Sequence, residues 1–551
     1  MRAIAAQENL AQNWRMLDEG VPLVFCFQKP RHANMANDNG NYNTSPLDAL
    51  RRYVPLAVWA IVILVILAIP LKIISYGYLP PDDALRHAAK AVSGKPWPDI
   101  LVVGDIFKVD HNFGWHFLLR QTYLWTKCDT EGLVMFSVVL LFLFVGGSAL
   151  PWLKRPEAWL IALTVAALTS DLLFRFLIGR PFLLTISALL TILFFWQAHG
   201  SSPPKWWTMV WMAVLIAICT FVHGVWYLWA LPVAAFFLAG QFRWGVTLAT
   251  SWLAGGFLGA SLTGHPFDAL AQAVEMAHRA FAMHATARTL VSEFRPSLGE
   301  VFALIILGGL LILRQLAGLN ARPLTANPVF WLACTSWVLS FIAVRFTEDW
   351  GWPALLVLIT GDLQLLLQAR FAADSFKRLA LTGGLAAMTF LVITNDSGSR
   401  WTSNLTQQYL TPDDPDLNGW MPGNNGIFYS ADMYLFYQTF YKNPNADWRY
   451  ILGYEPALMP AEDFKVYHKV LWNFGDTKAY APWVKKMRPE DRLVICGGRS
   501  NPPNIPQLEW NYGVSGIWIG RLPRTNAPPP APTIPATPLL EKLTNSVNSP
   551  K

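Results

Sequence analysis

Two adjacent carboxylates stand within segment 78–90, which reads YLPPDDALRHAAK. Asp82 and Asp83 follow a pair of prolines, and Arg86 and His87 come four positions after them, respectively. Because residues four apart share one face of a helix, this spacing gives each acid a basic partner. Paired acids can hold a divalent cation such as Mg²⁺ or Mn²⁺, or take a proton from an acceptor hydroxyl. The structural alternative is that they cap the free N–H groups at the start of a helix.

The same stretch of chain carries more groups that could do chemistry. His111 and His116 flank an aromatic segment, and Asp105 and Asp110 lie just upstream of it. A solvated loop can collect such residues by chance. Three histidines and several acids in one loop nevertheless favour a site that binds a polar or charged substrate.

Further histidines and arginines lie where apolar segments end. Those assigned to substrate binding outside the first loop are Arg175, Arg180, His223, His278, Arg279, His284 and Arg345. An arginine fork binds phosphate in a bidentate manner, so Arg175 and Arg180 are the candidates for an anionic group. The structural alternatives are arginines that extend from a helix to the membrane surface, and interfacial histidines without a chemical role.

The elements that must position these residues are membrane helices. The chain of 551 residues is 53% hydrophobic and 14% charged, with mean hydropathy +0.30, whereas soluble domains carry about 25% charged residues. Eleven apolar stretches approach or exceed the roughly 17 to 20 residues that cross a bilayer. They are 54–74, 132–150, 158–177, 181–198, 206–222, 224–240, 246–263, 298–314, 328–345, 351–368 and 379–394.

Lysines and arginines occupy every second connection between these stretches. Since basic loops stay on the cytoplasmic side, the alternation predicts a cytoplasmic N-terminus and, with an odd number of spans, an external C-terminus. The formal net charge of +7 then follows largely from topology, and no nucleic-acid partner is needed to explain it.

The predicted organisation has four parts and two large outer loops. They are a cytoplasmic tail at 1–50, a membrane domain at 51–394 with outer loops at 75–131 and 264–297, an external α/β domain at 395–522, and a proline-rich tail at 523–551. Segment 266–293 has the apolar spacing of an amphipathic helix lying on the membrane. In the external domain, helices are predicted at 430–441 and 461–472, and strands at 448–454, 491–498 and 515–522.

This arrangement resembles the GT-C superfamily of integral membrane glycosyltransferases. The series DDALRHA, GKPWPDI and DHNFGWHFLL is similar to the first outer loop of its oligosaccharyltransferase-like branch, and the protein O-mannosyltransferases belong to the same superfamily. The likeness extends over roughly residues 50–350. It implies a polytopic GT-C-like fold, a polyprenyl-phosphate- or polyprenyl-diphosphate-linked sugar donor, and a location in a bacterial inner membrane with the active site outside.

The resemblance also assigns roles. The family's first-loop acid contacts a metal ion or acts as the base, and by position that role falls on Asp82 or Asp83. The W-W-D-x-G motif of true oligosaccharyltransferases is absent and EWNYG at 509–513 is only a superficial echo, so protein N-glycosylation is not implied. Two alternatives remain: an O-antigen ligase or polymerase, and a secondary transporter, although internal repeats are not evident in the sequence.

Overall fold

The computed structural model describes residues 50–282, 295–297, 301–318, 323–473, 476–497 and 501–523. This part of the chain is mostly helical and ends in a small sheet. The helices up to residue 394 are α1 Val54–Ile74, α2 Asp83–Ser93, α3 Phe113–Thr126, α4 Thr130–Gly147, α5 Glu157–Ala167, α6 Ser170–Leu177, α7 Phe182–His199, α8 Trp206–Val222, α9 Ala230–Leu238, α10 Phe242–Ser261, α11 Pro266–Ala282, α12 Val301–Leu316, α13 Pro328–Leu339, α14 Trp352–Arg370 and α15 Phe376–Thr394.

The described helices support a multi-pass membrane protein. Within the described ranges five are long and apolar enough to cross a bilayer, and six are if α10 and α11, which meet at 110°, form one broken span. The five are Val54–Ile74, Thr130–Trp152, Phe182–His199, Thr347–Arg370 and Phe376–Thr394. Several of the other predicted spans coincide with shorter apolar helices. The count of eleven therefore stays a prediction.

Predicted span 158–177 is wrong as a continuous helix. The apolar stretch 158–177 divides into α5, which ends at Ala167, and α6, which begins at Ser170. Thr169 between them takes an extended backbone, with φ −96° and ψ 116°. An apolar run is compatible with two short helices as well as with one long helix, because periodicity does not record a single extended residue.

Lipid contact explains the surface of α1. Val58 and Val62 are fully buried on one face of this helix, whereas Leu56 and Leu64 are 58% and 63% exposed. In water such leucines would be costly to expose, but hydrocarbon solvates them as well as a protein core does. The exposed face is therefore the one expected to contact lipid.

The first loop folds into two helices, α2 and α3. Helix α2 ends at Gly94, which has a left-handed φ of +63° and whose N–H donates to the Lys90 carbonyl. Gly94 suits this end because a left-handed residue with a side chain is strained. At Gly114, near the start of α3, an added Cβ would lie 2.4 Å from the Phe221 ring, so α3 packs tightly on the end of α8.

Beyond α15, the chain forms helices and a mixed sheet. The helices are α16 Met433–Lys442, α17 Ala461–Trp472 and α18 Ala481–Lys486, and the strands are β1 Ile427–Tyr429, β2 Arg449–Tyr450, β3 Arg492–Ile495, β4 Glu509–Tyr512 and β5 Trp518–Arg521. The described strands follow the order β2-β1-β3-β5-β4. Strand β1 is parallel to β2 and β3, whereas β5 is antiparallel to β3 and β4.

The sequence predicted α16, α17, β2, β3 and β5, but it did not predict β1 and β4. Strand β1 has only three residues, which is too short for alternation to be recognised. Strand β4 lies within EWNYG, where half-buried residues and one exposed residue alternate poorly.

The first loop and the sheet share a core. Tyr450 of β2 donates its N–H to the Ile100 carbonyl, and its own carbonyl accepts from Val102, each at 2.9 Å. Leu101 forms a parallel bridge with Tyr450, so the loop continues the sheet beyond β2. Trp97 is buried in the same apolar cluster as Tyr450. This contact places α2 and α3 beside the C-terminal elements.

Candidate functional site

An open, cleft-like cavity, which encloses about 890 Å³ when the adjoining solvent space is included, lies where the first loop meets the C-terminal elements. The side chains with polar groups in its described lining are Asp83, Arg86, His87, His111, Asn112, Arg180, His223, Tyr227, Arg345, Tyr437, Tyr454 and Glu455. Ala273, Met276 and Ala277 of α11 form an apolar part of the wall. The cavity thus combines a charged wall, with three arginines and two acids, with one apolar side.

Several of the residues assigned from sequence meet here. Those that line the cavity are Asp83, His87, His111, Arg180, His223 and Arg345. The sequence interpretation did not assign Tyr437, Tyr454 and Glu455, which approach from the C-terminal part of the chain. Nothing near them in the sequence indicates a site, because they are brought to the first loop only by the packing of the sheet.

The acid pair does not have the partners predicted for it. Asp82 lies at the start of α2 but makes no side-chain capping hydrogen bond there; Arg180 instead donates to its two oxygens, with N–O distances of 3.3 and 2.7 Å. Asp83 pairs with Arg86 at 2.6 Å and lies 3.7 Å from Arg180. The predicted pairs Asp82–Arg86 and Asp83–His87 are therefore wrong, because Asp82 pairs with Arg180 on another element and Asp83 pairs with Arg86 three positions along the helix.

Arg86 is the most deeply buried cation of the lining, at 3% exposure. Its Nε donates to Asp83, and its guanidinium lies 3.9 Å from the centre of the Tyr454 ring, a favourable cation–π position. Its Nη1 is buried and has no hydrogen-bond partner among the described residues. An unsatisfied buried donor is costly, so this group is suited to receive an anionic oxygen.

The residues present do not fit a divalent cation at the acid pair. The oxygens of Asp82 and Asp83 are directed to guanidinium groups, which compete with any metal ion. Over the described ranges no group of three or more His, Cys, Asp and Glu side chains is placed to hold one. Arg180 and Arg86 thus occupy the positions at these carboxylates that Mg²⁺ or Mn²⁺ would need.

Arg175 lies behind the cavity wall. Its guanidinium contacts Asp349 at 2.5 Å and Glu348 at 2.9 Å, and it stacks at 4.4 Å over the ring of Phe182. Phe182 lines the cavity, but Arg175 does not. Asp349 also accepts from Arg345 at 2.8 Å. Arg175 thus holds Asp349, which in turn holds Arg345 at the cavity lining.

Two histidines and an aspartate form a hydrogen-bonded chain at the cavity. His116 Nδ1 lies 2.6 Å from Asp110 Oδ2, and His116 Nε2 lies 2.8 Å from His87 Nδ1. Asp110 Oδ1 accepts from the backbone N–H of Asn112, so both carboxylate oxygens are held. Of the three, only His87 lines the cavity.

Burial controls the protonation of this chain. Burial lowers the pKa of His87 well below its ordinary value, and the neighbouring Arg86 charge adds to the effect. The pKa of His116 is also lowered by burial, although Asp110 opposes the change. Burial alone would raise the pKa of Asp110, but the charge and hydrogen bond of His116 hold it below its usual range. The rings are therefore neutral at pH 7 and Asp110 is ionised.

His111 and His223 come from different elements and meet at the same wall. The His111 carbonyl accepts from the backbone N–H of Gly224 at 2.9 Å. A Cβ at Gly224 would lie 3.1 Å from His111 Cβ, so the two segments approach closely. Burial lowers the pKa of His111 to about 4, with Asp110 opposing, so His111 is also neutral.

The assigned residues of α11 lie away from this lining. His278 is exposed, and Arg279 pairs with Glu275 at the surface, with both side chains nearly half exposed. His284 lies outside the described residues. The cavity wall is built from Ala273, Met276 and Ala277, and His278 falls on the next face of the helix because successive residues turn by about 100°.

Gln272 joins α11 to the first loop. This 4% exposed side chain accepts from the backbone N–H groups of Lys108 and Val109, at 2.6 and 2.9 Å, and donates to the Val109 carbonyl at 2.7 Å. Phe267 and Val274 remain 74% and 45% exposed. The helix thus presents an apolar face outward while it is fixed at the cavity.

No protein-family model matches the chain, and no curated protein matches its sequence. Among solved structures, it is similar to an oligosaccharyltransferase of Archaeoglobus fulgidus, solved with a tethered acceptor peptide that contains the NVT sequon. The identity is 12% and the TM-score 0.43, over 81% of this chain and 69% of the other. At that TM-score the likeness assigns neither a substrate nor a residue role.

Proposed function

We propose that this protein is a GT-C-type membrane glycosyltransferase, which transfers a sugar or oligosaccharide from a polyprenyl-phosphate or polyprenyl-diphosphate carrier to an acceptor at the extracytoplasmic face. The observation that carries the proposal is the cavity, where Arg86, Arg180 and Arg345 converge beside an apolar helix. A donor that is both anionic and lipidic needs both features.

The phosphate is assigned to the arginine side of the cavity. Arg86 offers the unsatisfied Nη1, and Arg180 and Arg345 lie at the same lining with their carboxylate partners. Charged hydrogen bonds to phosphate contribute about 1.5 to 3 kcal/mol each. They also stabilise the charge that develops on the leaving phosphate as the bond to the sugar breaks.

The polyprenyl chain is assigned to the apolar side. Ala273, Met276 and Ala277 face the cavity, while Phe267 and Val274 remain exposed on the same helix. An interfacial helix with these features allows the carrier to stay in the bilayer while its head group enters the cavity. Gln272 holds that helix against the first loop.

The acceptor is assigned to Asp83 rather than Asp82. Asp83 lines the cavity, whereas Asp82 does not and holds Arg180 through two hydrogen bonds. A carboxylate at the cavity surface can accept a hydrogen bond from a hydroxyl and orient it toward the anomeric carbon.

Two measurements test the proposal. Mass spectrometry of the purified protein is expected to detect a co-purified polyprenyl-phosphate sugar, and defined carriers are expected to support sugar transfer. Arg86→Gln and Arg180→Gln should each weaken donor binding by roughly 10- to 150-fold, equivalent to about 1.5 to 3 kcal/mol. Arg279→Gln, at an exposed ion pair, serves as the control and should leave binding unchanged.

A different result would replace the proposal. If no polyprenyl lipid binds and a water-soluble solute is carried across vesicles instead, the protein is a transporter. If the carrier binds equally well to the Arg86→Gln and Arg180→Gln variants, the phosphate does not occupy this cavity.

A further inference from the structure

We infer that the chain Asp110–His116–His87 is a proton relay, and that Nε2 of His87 accepts the proton of the acceptor group in the cavity. This inference rests on the proposed function and assigns one step of it. His87 is then a catalytic residue, and His116 and Asp110 are positioning residues.

The hydrogen-bond pattern fixes the direction of the relay. An ionised Asp110 can only accept, so His116 must donate its Nδ1–H across the 2.6 Å contact. The neutral His116 ring then has an acceptor at Nε2, and His87 must donate its Nδ1–H across 2.8 Å. A neutral imidazole carries one N–H. Nε2 of His87 therefore holds a lone pair.

That nitrogen is unused within the described part of the protein. His87 is 1% exposed, and its Nε2 is buried without a hydrogen-bond partner in the described ranges. Because His87 lines the cavity and its Nδ1 is directed to His116, Nε2 is the ring nitrogen left for a ligand. A buried acceptor without a donor costs free energy, which a substrate hydroxyl would recover.

The proton transfer balances without another reactant. The acceptor O–H bond breaks and an Nε2–H bond forms on His87, while the Nδ1–H of His87 passes to Nε2 of His116. The acceptor oxygen bonds to the anomeric carbon as the carbon–oxygen bond to phosphate breaks, and the polyprenyl phosphate leaves with the electron pair. The positive charge then lies on His116, beside the Asp110 carboxylate and one ring further from Arg86.

The groups that face the relay favour this final position of the charge. Those on the surrounding elements are Asp83, Arg86 and Lys90 of α2, Asp110 and His111 of the first loop, His223 at the end of α8, Tyr437 of α16, and Tyr454 after β2. Arg86 opposes a charge on His87. Arg86 and Lys90 also oppose a charge on His116, but there the charge and hydrogen bond of Asp110 have the larger, favourable effect. A direct contact with Asp110 is available to His116 alone of the two relay rings.

The pH dependence has a definite sign. Because the pKa values of both rings are lowered, the relay is free to accept a proton at neutral pH. The turnover number kcat should stay level there and fall only as the pH drops below the ordinary histidine value of about 6.5. Asp110 opposes the lowering of the His116 pKa, so removing its charge in Asp110→Asn should lower that pKa further. The fall of kcat on the acidic side of the pH profile, called the acid limb, should therefore move to lower pH.

Transfer kinetics with a defined polyprenyl-phosphate sugar test the relay. His87→Gln and Asp110→Asn should each lower kcat by about 100-fold or more, the usual scale for general-base catalysis, with little change in KM for the donor. Added imidazole should partly restore His87→Ala, which a purely structural role would not predict. His278→Ala, at an exposed position away from the cavity, is the control. Wild-type kcat and an unchanged acid limb in folded His87→Gln would overturn the inference.

A spectroscopic measurement on the wild-type protein does not require transfer. Nitrogen-15 NMR of labelled histidines is expected to show two neutral rings with the proton on Nδ1, His116 with a hydrogen-bonded Nε2 and His87 with a bare Nε2. The signal of the bare Nε2 should be lost in His87→Gln. A proton on Nε2 of His87 would contradict the relay. If no carrier supports transfer by the wild type, the proposed function fails and the proton role with it, while the NMR result still decides the hydrogen-bond chain.

Discussion

Two buried arginine–carboxylate sites in this protein have the same chemistry but different surroundings. Arg378 of α15 pairs with Glu157 of α5 through Nε at 2.7 Å and Nη2 at 3.0 Å, and its Nη1 donates to the Ala373 carbonyl. Arg86 pairs with Asp83 through Nε, but its Nη1 has no partner in the described part. Only the second site lies at the cavity.

The difference separates an ion pair that joins two helices from an ion pair at the cavity. At Arg378 each terminal nitrogen has an acceptor, and Glu157 is completely buried, so this pair joins α5 to α15 away from the cavity lining. At Arg86 the pairing leaves donor capacity over a cavity. A buried arginine is therefore informative about function only when each of its N–H donors has been checked for an acceptor.

The largest expected effect is on stability, at the Arg378–Glu157 pair. Glu157→Gln leaves the buried Arg378 without its counter-charge, and removing one partner of a buried pair costs about 3 to 5 kcal/mol. Equilibrium unfolding in detergent should show that loss, while kcat per folded molecule stays near wild type. Glu275→Gln removes the partner of an exposed arginine and should change stability by less than about 1 kcal/mol. Equal effects at the two positions would contradict the distinction.

At the Arg86–Asp83 pair the expected loss is in activity. Asp83→Asn removes the carboxylate that holds Arg86 and that we propose to orient the acceptor, so kcat should fall by roughly 10- to 100-fold, the scale of a charged hydrogen bond. Asp82→Asn should act on KM for the donor instead, because Asp82 holds Arg180. The two variants are compared by steady-state kinetics. A capping role for both acids would give a stability loss of about 1 kcal/mol with activity preserved.

A smaller effect is expected where α11 is fixed to the cavity. Gln272→Leu leaves the N–H groups of Lys108 and Val109 without their acceptor, at a cost of about 1 to 3 kcal/mol. Because this contact holds the helix rather than the reacting groups, KM for the lipid donor should rise while kcat is kept. Hydrogen exchange at residues 108 and 109 should increase. Unchanged exchange would show that the contact does not hold α11.

The smallest effect sharpens the boundary of the site. His278→Ala and Arg279→Ala change exposed side chains of α11 that do not line the cavity. Both should leave kcat and KM within about twofold of wild type, since surface substitutions usually change free energies by no more than about 0.5 kcal/mol. A larger loss in the transfer assay would extend the site along this helix.

The sequence allowed much of the local structure to be predicted. Helix α2 and its end at Gly94 follow from the residues themselves, because capping and left-handed preferences act over a few positions. The apolar stretches predicted membrane helices because hydropathy is also a property of neighbouring residues. The extended Thr169 between α5 and α6 was not visible in composition. The strands of three or four residues were recognised only where their apolar runs were clear.

The sequence indicated part of the cavity lining, but it did not indicate how the charged groups of that lining pair. The sequence indicated that the first-loop acids and histidines belong together, since they are concentrated in one segment next to a membrane span. Helical spacing predicted that Asp82 pairs with Arg86. In the structure Asp82 instead accepts hydrogen bonds from Arg180, 98 residues away in the sequence. Long-range charges override local spacing when burial makes an unpaired carboxylate costly.

What the sequence determined by itself is a multi-pass membrane protein with an acid- and histidine-rich loop, because hydropathy and local composition are properties of contiguous residues. Only the tertiary structure decided that Tyr454 and Glu455 line the cavity and that Arg175 lies behind Phe182. It also decided that His87 is hydrogen-bonded to His116 rather than to Asp83. These contacts depend on the sheet continuing into the first loop at Tyr450 and on how buried donors and acceptors are matched across elements. No local pattern specifies such matches, since each is set by the free energy of the whole packed arrangement.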